Sequence, residues 1–213
     1  MRFASREDAG RRLANDLASR PFDRPVVIAL PRGGVPVAAE IATRLRAPLD
    51  VLVVRKLGHP RQPELGLGAI AEGGLQILNQ RLMRELGVPP EHLDGITAIE
   101  VAELKRRVQY YRGARPAVPV SERTVILVDD GLATGFTARA AIEALHQQGA
   151  QQVVLAVPVG PASTVEALAT HADQVICLRT PTVLGAIGHW YDQFRPVHDT
   201  DVARVLSEHA AIP

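Results

Sequence analysis

An α/β fold, with helices layered on both faces of a mostly parallel, twisted sheet, is predicted by three observations. The runs Val26 to Leu30, Val125 to Val128 and Val153 to Val159 are almost continuously apolar rather than alternating, as strands covered on both faces must be. Helical stripes with their own stop signals separate these runs, so strands and helices alternate along the chain. Finally, 213 residues at 46% hydrophobic and 22% charged suffice for one core plus an elaboration. The expectation is a single domain over residues 1–213, with its core at about 24–56 and 122–180. A loop, hairpin and helical hood would be inserted over about 57–121.

Each element has a local reason. Ser5 with Asp8 marks a helix start, and Ala9, Leu13, Leu17 and Ala18 supply its apolar stripe. Val26 to Leu30 is the first buried strand, the turn Pro31 to Gly34 opens a helix that runs through Leu45, and Val51 to Val54 is the second strand. A Gly- and Pro-bearing loop, 58–64, precedes a hairpin in which Ala69-Ile70-Ala71 and Leu75-Gln76-Ile77-Leu78 flank Glu72-Gly73-Gly74. In the long helix that follows, Val101, Leu104, Val108 and Tyr111 share an apolar face that needs a partner surface. After Val125 to Val128 come a helix ending near Gly149 and the strand Val153 to Val159. A helix from Pro161 with a Ser163/Glu166 capping pattern, the strand Gln174 to Leu178 and a terminal helix beginning near Thr200 complete the chain.

Composition narrows the function classes. Lys plus Arg number 24 against 23 acidic residues, so the formal charge of +1 draws the chain neither to nucleic acid nor to a membrane surface. No stretch approaches the ~20 apolar residues of a membrane span, and the first eight residues lack a hydrophobic signal region. A cytoplasmic protein is expected. Cys177, the one cysteine, lies in an apolar run and reads as a packed thiol. There is no GxxxxGK[ST] sequence, and the first strand leads into PRGG rather than GxGxxG, so neither ATP hydrolysis nor NAD binding is favoured.

The segment Val125-Ile126-Leu127-Val128-Asp129-Asp130-Gly131-Leu132-Ala133-Thr134-Gly135-Phe136-Thr137 carries the chemistry. A buried strand delivers two adjacent carboxylates to its C-terminal end, and a small, hydroxyl-bearing turn then opens a helix. The unpaired amides and positive dipole end of that helix favour an anion, and Gly135 lets a backbone approach closely. Two carboxylates would repel a bare phosphate, but the vicinal hydroxyls of a ribose are donors matched to them. The pattern therefore reads as a ribose 5-phosphate cradle, against the alternative of a buried strand ending in an acidic turn.

This segment resembles the signature of the type I phosphoribosyltransferases: an apolar strand, two acids, then a small-Thr-Gly-x-Thr turn. It departs at Gly131, where the family usually has an aliphatic residue, and at Phe136, where something smaller is common. Through PRGG at 31–34, VRK at 54–56 and VDDGLATG at 128–135, the chain most resembles the uncharacterised bacterial branch of that family. The resemblance implies a three-layer, Rossmann-like phosphoribosyltransferase fold, with the hairpin as an antiparallel edge strand and a small hood. It implies a transferase that binds phosphoribosyl pyrophosphate with Mg²⁺ and passes ribose 5-phosphate to a nitrogenous base, releasing pyrophosphate. Asp129 and Asp130 would hold the ribose and be the catalytic acids, Ala133, Thr134, Gly135, Phe136 and Thr137 the 5′-phosphate. Arg32, Gly33 and Gly34 would take pyrophosphate, with a non-proline cis peptide near Arg32.

If the strand at Val125 lies beside that at Val26, the PRGG loop faces the acids at the topological switch point, as a second anion nest. The alternative there is a glycine-rich helix entry with a solvated arginine. Arg55 and Lys56 follow the second strand and would neutralise pyrophosphate, unless they are simply solvated. His59, Arg61 and Glu64 are candidates to close over the reacting centre, or exposed loop residues. Trp190 and Tyr191 either stack a base or pack the terminal helix. Lys105, Arg106 and Arg107 read as a solvated face, and His189 makes no ligand-spaced cluster, so no direct protein ligand to a metal is assigned. Partners would be small molecules, with a homo-oligomer left open. The rival reading is a non-catalytic sensor of a nucleotide or of phosphoribosyl pyrophosphate using the same pocket, and a third is a partner subunit of a larger assembly.

Overall fold

A computed structural model describes residues 2–59 and 61–210, and the side chains at 63 and 64 are not described. The first half of the chain runs α1 (Arg6–Leu17), β1 (Val26–Ala29), α2 (Gly34–Leu45), β2 (Leu49–Val51), β3 (Val54–His59), β4 (Gln62–Ala71), β5 (Gln76–Leu78), α3 (Gln80–Glu85) and α4 (Asp94–Arg112). The second half runs β6 (Thr124–Val128), α5 (Phe136–Gln147), β7 (Gln152–Val159), α6 (Ala162–Leu168), β8 (Gln174–Arg179) and α7 (Asp199–His209). Single 3-10 turns span Pro90–Leu93 and Ile187–Trp190.

The main sheet has the order β2-β1-β6-β7-β8, and every pair in it is parallel. Because successive side chains on a strand point to opposite faces, the runs of apolar residues feed two cores. Val27, Ala29, Ile126, Val128, Val154 and Ala156 face α1, α2, α4 and α7. Val26, Ile28, Val125, Leu127, Val153 and Leu155 face α5 and α6. Each fully buried Val, Leu or Ile contributes about 1.5–3 kcal/mol, which is why these runs carry no polar residue. This is the three-layer α/β architecture that the sequence predicts.

The antiparallel part differs in detail from the expectation. The hairpin does form, but as a separate three-stranded sheet, β3-β4-β5, and not as an edge strand of the parallel sheet. Residues 51–54 are likewise not one strand: β2 ends at Val51, the chain crosses between the sheets, and β3 begins at Val54. Leu52 and Val53 are buried in that crossing, and an unbroken apolar run gives no sign of where one sheet is left and the next entered. The predicted loop at 58–64 is largely strand too, because β3 and β4 pair along their lengths with register shifts on either side of Gly58. Its Gly and Pro content argued for a loop, and the partner strand overrides that local preference.

Cap signals fared unevenly. Ser5 caps α1 by accepting the Asp8 N–H, and Asp8 in return accepts the Ala4 N–H at 3.0 Å. Ser163 does not cap α6, whose N-cap is Pro161 without a side-chain hydrogen bond. The apolar face of α4 packs as expected, with Leu104 and Tyr111 buried and Val101 and Val108 against the same core. At the end of α4, the buried Arg112 donates Nε to both oxygens of Asp50 at 2.9 Å and Nη2 to the Val51 carbonyl at 2.5 Å, and Nη1 pairs with Glu72. Asp50 also accepts the Val118 N–H at 2.9 Å. This network fastens the inserted sheet and α4 to the edge of the main sheet.

Candidate functional site

The sheet order makes β1 and β6 neighbours, paired from Val26↔Val125 to Ala29↔Val128, and the chain leaves them in opposite directions. Their C-terminal loops therefore bound the crevice where open α/β sheets bind ligands. The Leu30 N–H donates to the Val128 carbonyl at 2.8 Å, and the Gly34 N–H to the Leu30 carbonyl at 3.1 Å, folding the PRGG loop back onto the end of β6. The Pro31–Arg32 peptide is cis, where the family resemblance placed one. A methyl group on Gly34 would lie 2.6 Å from the Val128 carbonyl oxygen, and one on Gly33 would overlap Asp130 Oδ2. These two glycines are what lets the loop and the acid pair meet.

Asp130 is buried. Its Oδ2 accepts Arg6 Nε at 2.7 Å, and its backbone carbonyl accepts the Tyr191 hydroxyl at 2.5 Å. Asp129 is half-buried, its Oδ1 accepting the Asp130 N–H at 2.8 Å. Burial pushes the Asp129 carboxyl well above its ordinary value, and the charge of Asp130 pushes it further. Burial raises Asp130 as well, opposed by the charge and hydrogen bond of Arg6. One acid is thus tied to an arginine and the other is not.

Beyond the acids, Gly131 sits under Ile187 and Val159, where a methyl would meet Ile187 at 2.8 Å, so the departure from the family's aliphatic residue is compensated by a neighbouring side chain. Gly135 takes φ +75°, a left-handed conformation suited to glycine, and caps α5. Ala133, Thr134 and Thr137 are exposed, so the turn and the first amides of α5 are open to a ligand, with Phe136 half-buried beside them. Thr164 of α6 braces the turn by donating to the Ala133 carbonyl at 3.0 Å.

The remaining candidates divide. Arg32 is exposed, and its guanidinium lies 3.9 Å from Asp199 at the start of α7. The same carboxylate accepts the Tyr111 hydroxyl at 2.7 Å and lies 3.8 Å from Arg106. Arg106 and Arg107 also share Glu103, whose carboxyl their hydrogen bonds hold down at about 2, and Lys105 and Arg106 are exposed, as expected of a solvated face laced with helix-surface ion pairs. Arg55 and Lys56 are on β3. Arg55 pairs with Glu100 of α4 at 2.6 Å, while Lys56 is exposed and lies along Gly66. His59 Nδ1 accepts the Arg61 N–H at 3.0 Å at the β3–β4 turn, and the Glu64 side chain lies outside the described residues. Tyr191 offers no open face to a base, since it is buried against Phe3 and Phe194 at centroid distances of 5.5 and 5.1 Å. Its packing partners are Phe3 and Ala9 near the N-terminus with Leu178, Ile187 and Phe194, and none of them is on α7. Trp190 is half-buried, its Nε1 donating to the Leu184 carbonyl at 3.0 Å. Among the described residues no three His, Cys, Asp or Glu side chains converge as a metal cage, and no helix is long and apolar enough to cross a membrane.

Arg6 is the site residue that the sequence reading missed. It lies 124 positions from Asp130, and its only local signal was a place in the first turn of α1.

Residues 4–192 match the phosphoribosyl transferase domain family. Two curated relatives from Mycobacterium tuberculosis, strains CDC 1551 / Oshkosh and ATCC 25618 / H37Rv, are each 47% identical over 204 residues and provisionally named phosphoribosyl transferases. The match takes in 96% of this chain but 46% of those relatives, so the chain spans about half their length. The crystal structure of TT1426 from Thermus thermophilus is similar at TM-score 0.84 and 42% identity, covering 98% of this chain and 99% of that one.

Proposed function

The chain belongs to the phosphoribosyl transferase domain family, and on that footing we propose that it binds phosphoribosyl pyrophosphate at the β1/β6 switch point and transfers ribose 5-phosphate to a nitrogenous base. The observation that carries this reading is the meeting of the PRGG loop with the Asp129–Asp130 pair beside an open helix N-terminus. The acid pair accepts hydrogen bonds from the ribose hydroxyls, and its negative charge favours a cationic C1 centre. The amides and hydroxyls of 133–137 take the 5′-phosphate, and the PRGG loop with Arg32 takes the pyrophosphate. As the C1–oxygen bond breaks, its electron pair leaves on pyrophosphate, the lone pair of the acceptor nitrogen forms the new bond to C1, and a proton carried by that nitrogen passes to the departing pyrophosphate.

The donor set fits a Mg²⁺ ion carried by the substrate rather than one caged by protein, since such ions keep most of their waters and take one or two carboxylates plus phosphate oxygens. Asp129, the acid with no arginine on it, would hold one of those waters. The bound ion would neutralise the charge gathering on the leaving pyrophosphate. Arg55 and Lys56 are proposed to act on pyrophosphate only when β3 and the hood close, because Arg55 here is engaged by Glu100.

Calorimetry with phosphoribosyl pyrophosphate and Mg²⁺, followed by a nucleobase screen for pyrophosphate release, tests the reading. Saturable binding and release with one base are expected. Replacing both acids by Asn should lower release by about two orders of magnitude or more. No binding by the unaltered chain would overturn the proposal, and binding without release for any base would favour the sensor.

A further inference from the structure

Two neighbouring carboxylates at the end of a buried strand repel each other, and without a counterion one would take up a proton. A protonated acid is a donor, and it would lose the acceptor role toward a sugar hydroxyl. The structure contains a counterion built for this place. Arg6 is buried, with side-chain exposure of 10% against 11% for Asp130. Its Nε donates to Asp130 Oδ2 at 2.7 Å and its Nη1 to the Arg195 carbonyl at 2.8 Å. The guanidinium carbon lies 3.8 Å from the centre of the Phe194 ring, close enough for a cation–π contact. Gly33 leaves the space on the opposite side that the carboxylate occupies. Ser5, capping the helix one residue earlier, fixes where the arginine starts.

We propose that Arg6 is a positioning residue of the transferase site: it holds Asp130 as an ionised acceptor, aimed between α1 and Gly33, and thereby couples the N-terminal helix and the 191–195 segment to sugar binding. This rests on the function proposed above. Arg6 does not touch the substrate and acts through Asp130. The arrangement also divides the pair: Arg6 is hydrogen-bonded to Asp130, while Asp129 feels the same guanidinium only as a more distant charge.

A mutant cycle on affinity for phosphoribosyl pyrophosphate with Mg²⁺, measured by calorimetry, tests the coupling. Arg6→Gln should weaken binding roughly tenfold, the order expected when a nearby charge loses its counterion beside an anionic ligand. In an Asp130→Asn background the same change should cost less than about twofold, because the residue through which Arg6 acts has been neutralised. A merely structural arginine would weaken both backgrounds by the same factor, and that result, or equal affinity of Arg6→Gln and the unaltered chain, overturns the proposal. Should Arg6→Gln not fold, Arg6→Met, which keeps much of the side-chain volume and removes the charge, completes the same cycle in the two backgrounds. Failure of the unaltered chain to bind would instead remove the function reading, and this inference with it.

Discussion

Replacing Gly34 by Ala isolates the contact on which the two halves of the site depend. The backbone at this position is helical, so alanine is locally tolerated and would even favour the helix. The obstacle is tertiary: the new methyl would sit 2.6 Å from the Val128 carbonyl oxygen and 3.0 Å from Asp129 Cα, against 3.4 Å or more in ordinary contact. Both obstructing atoms are backbone, one at the end of β6 and one in the residue after it, so neither can rotate away, and the PRGG loop must lift from β6. Overpacking of this kind costs about 1–3 kcal/mol, and the rigid partner argues for the upper part of that range. At about 2–4 °C per kcal/mol for a domain of this size, a cost of about 2–3 kcal/mol lowers Tm by about 4–12 °C. Gly95→Ala on α4 is the matched control, because nothing lies within 4 Å of its added methyl. It should leave Tm unchanged or raise it slightly. Thermal melts by circular dichroism read both, and an unshifted Tm for Gly34→Ala would refute the claimed apposition of loop and strand.

Arg112→Met should cost about 3–5 kcal/mol in urea unfolding, since it strands Asp50 and Glu72 without their buried partner; a loss below about 1 kcal/mol would show the network to be slack. Asp129→Asn should stabilise the ligand-free protein while impairing binding. The sign follows from burial, which raises the folded carboxyl above its ordinary 3.8. The native state then holds the proton more tightly than the unfolded chain. Its stability contribution is complete below that ordinary value and is lost as pH rises through the raised one. Melts between about pH 4 and pH 8 should show the variant's advantage growing with pH, and a constant difference would refute the assignment.

The legible parts of the molecule were those written locally. Val125 to Val128 is unbroken apolar sequence because the strand is covered on both faces, and the acids follow it because they stand where that strand ends. The neighbouring placement of PRGG and Asp129–Asp130 followed from the assumption that β1 and β6 pair, which the register bears out. The β3–β4 ribbon was less readable. Gly58 and Pro63 are loop signals in isolation, whereas the β3–β4 ladder places both within strands. Tyr191 shows a different limit: an aromatic after the last strand fits a stacking site and a core equally well until its burial is known.

By itself, the sequence determined the α/β class, the run of strands and helices in the core, and an acid pair followed by an anion-ready helix entry. These depend on periodicity, turn chemistry and residues within a few positions of one another. Only the tertiary structure decided that the inserted hairpin stands as its own sheet, that Arg55 answers to Glu100, and that Asp130 is held by Arg6 while Asp129 is not. Such pairings join residues tens to more than a hundred positions apart, and a charge's partner is set by which side chains share a buried volume, which local pattern does not encode.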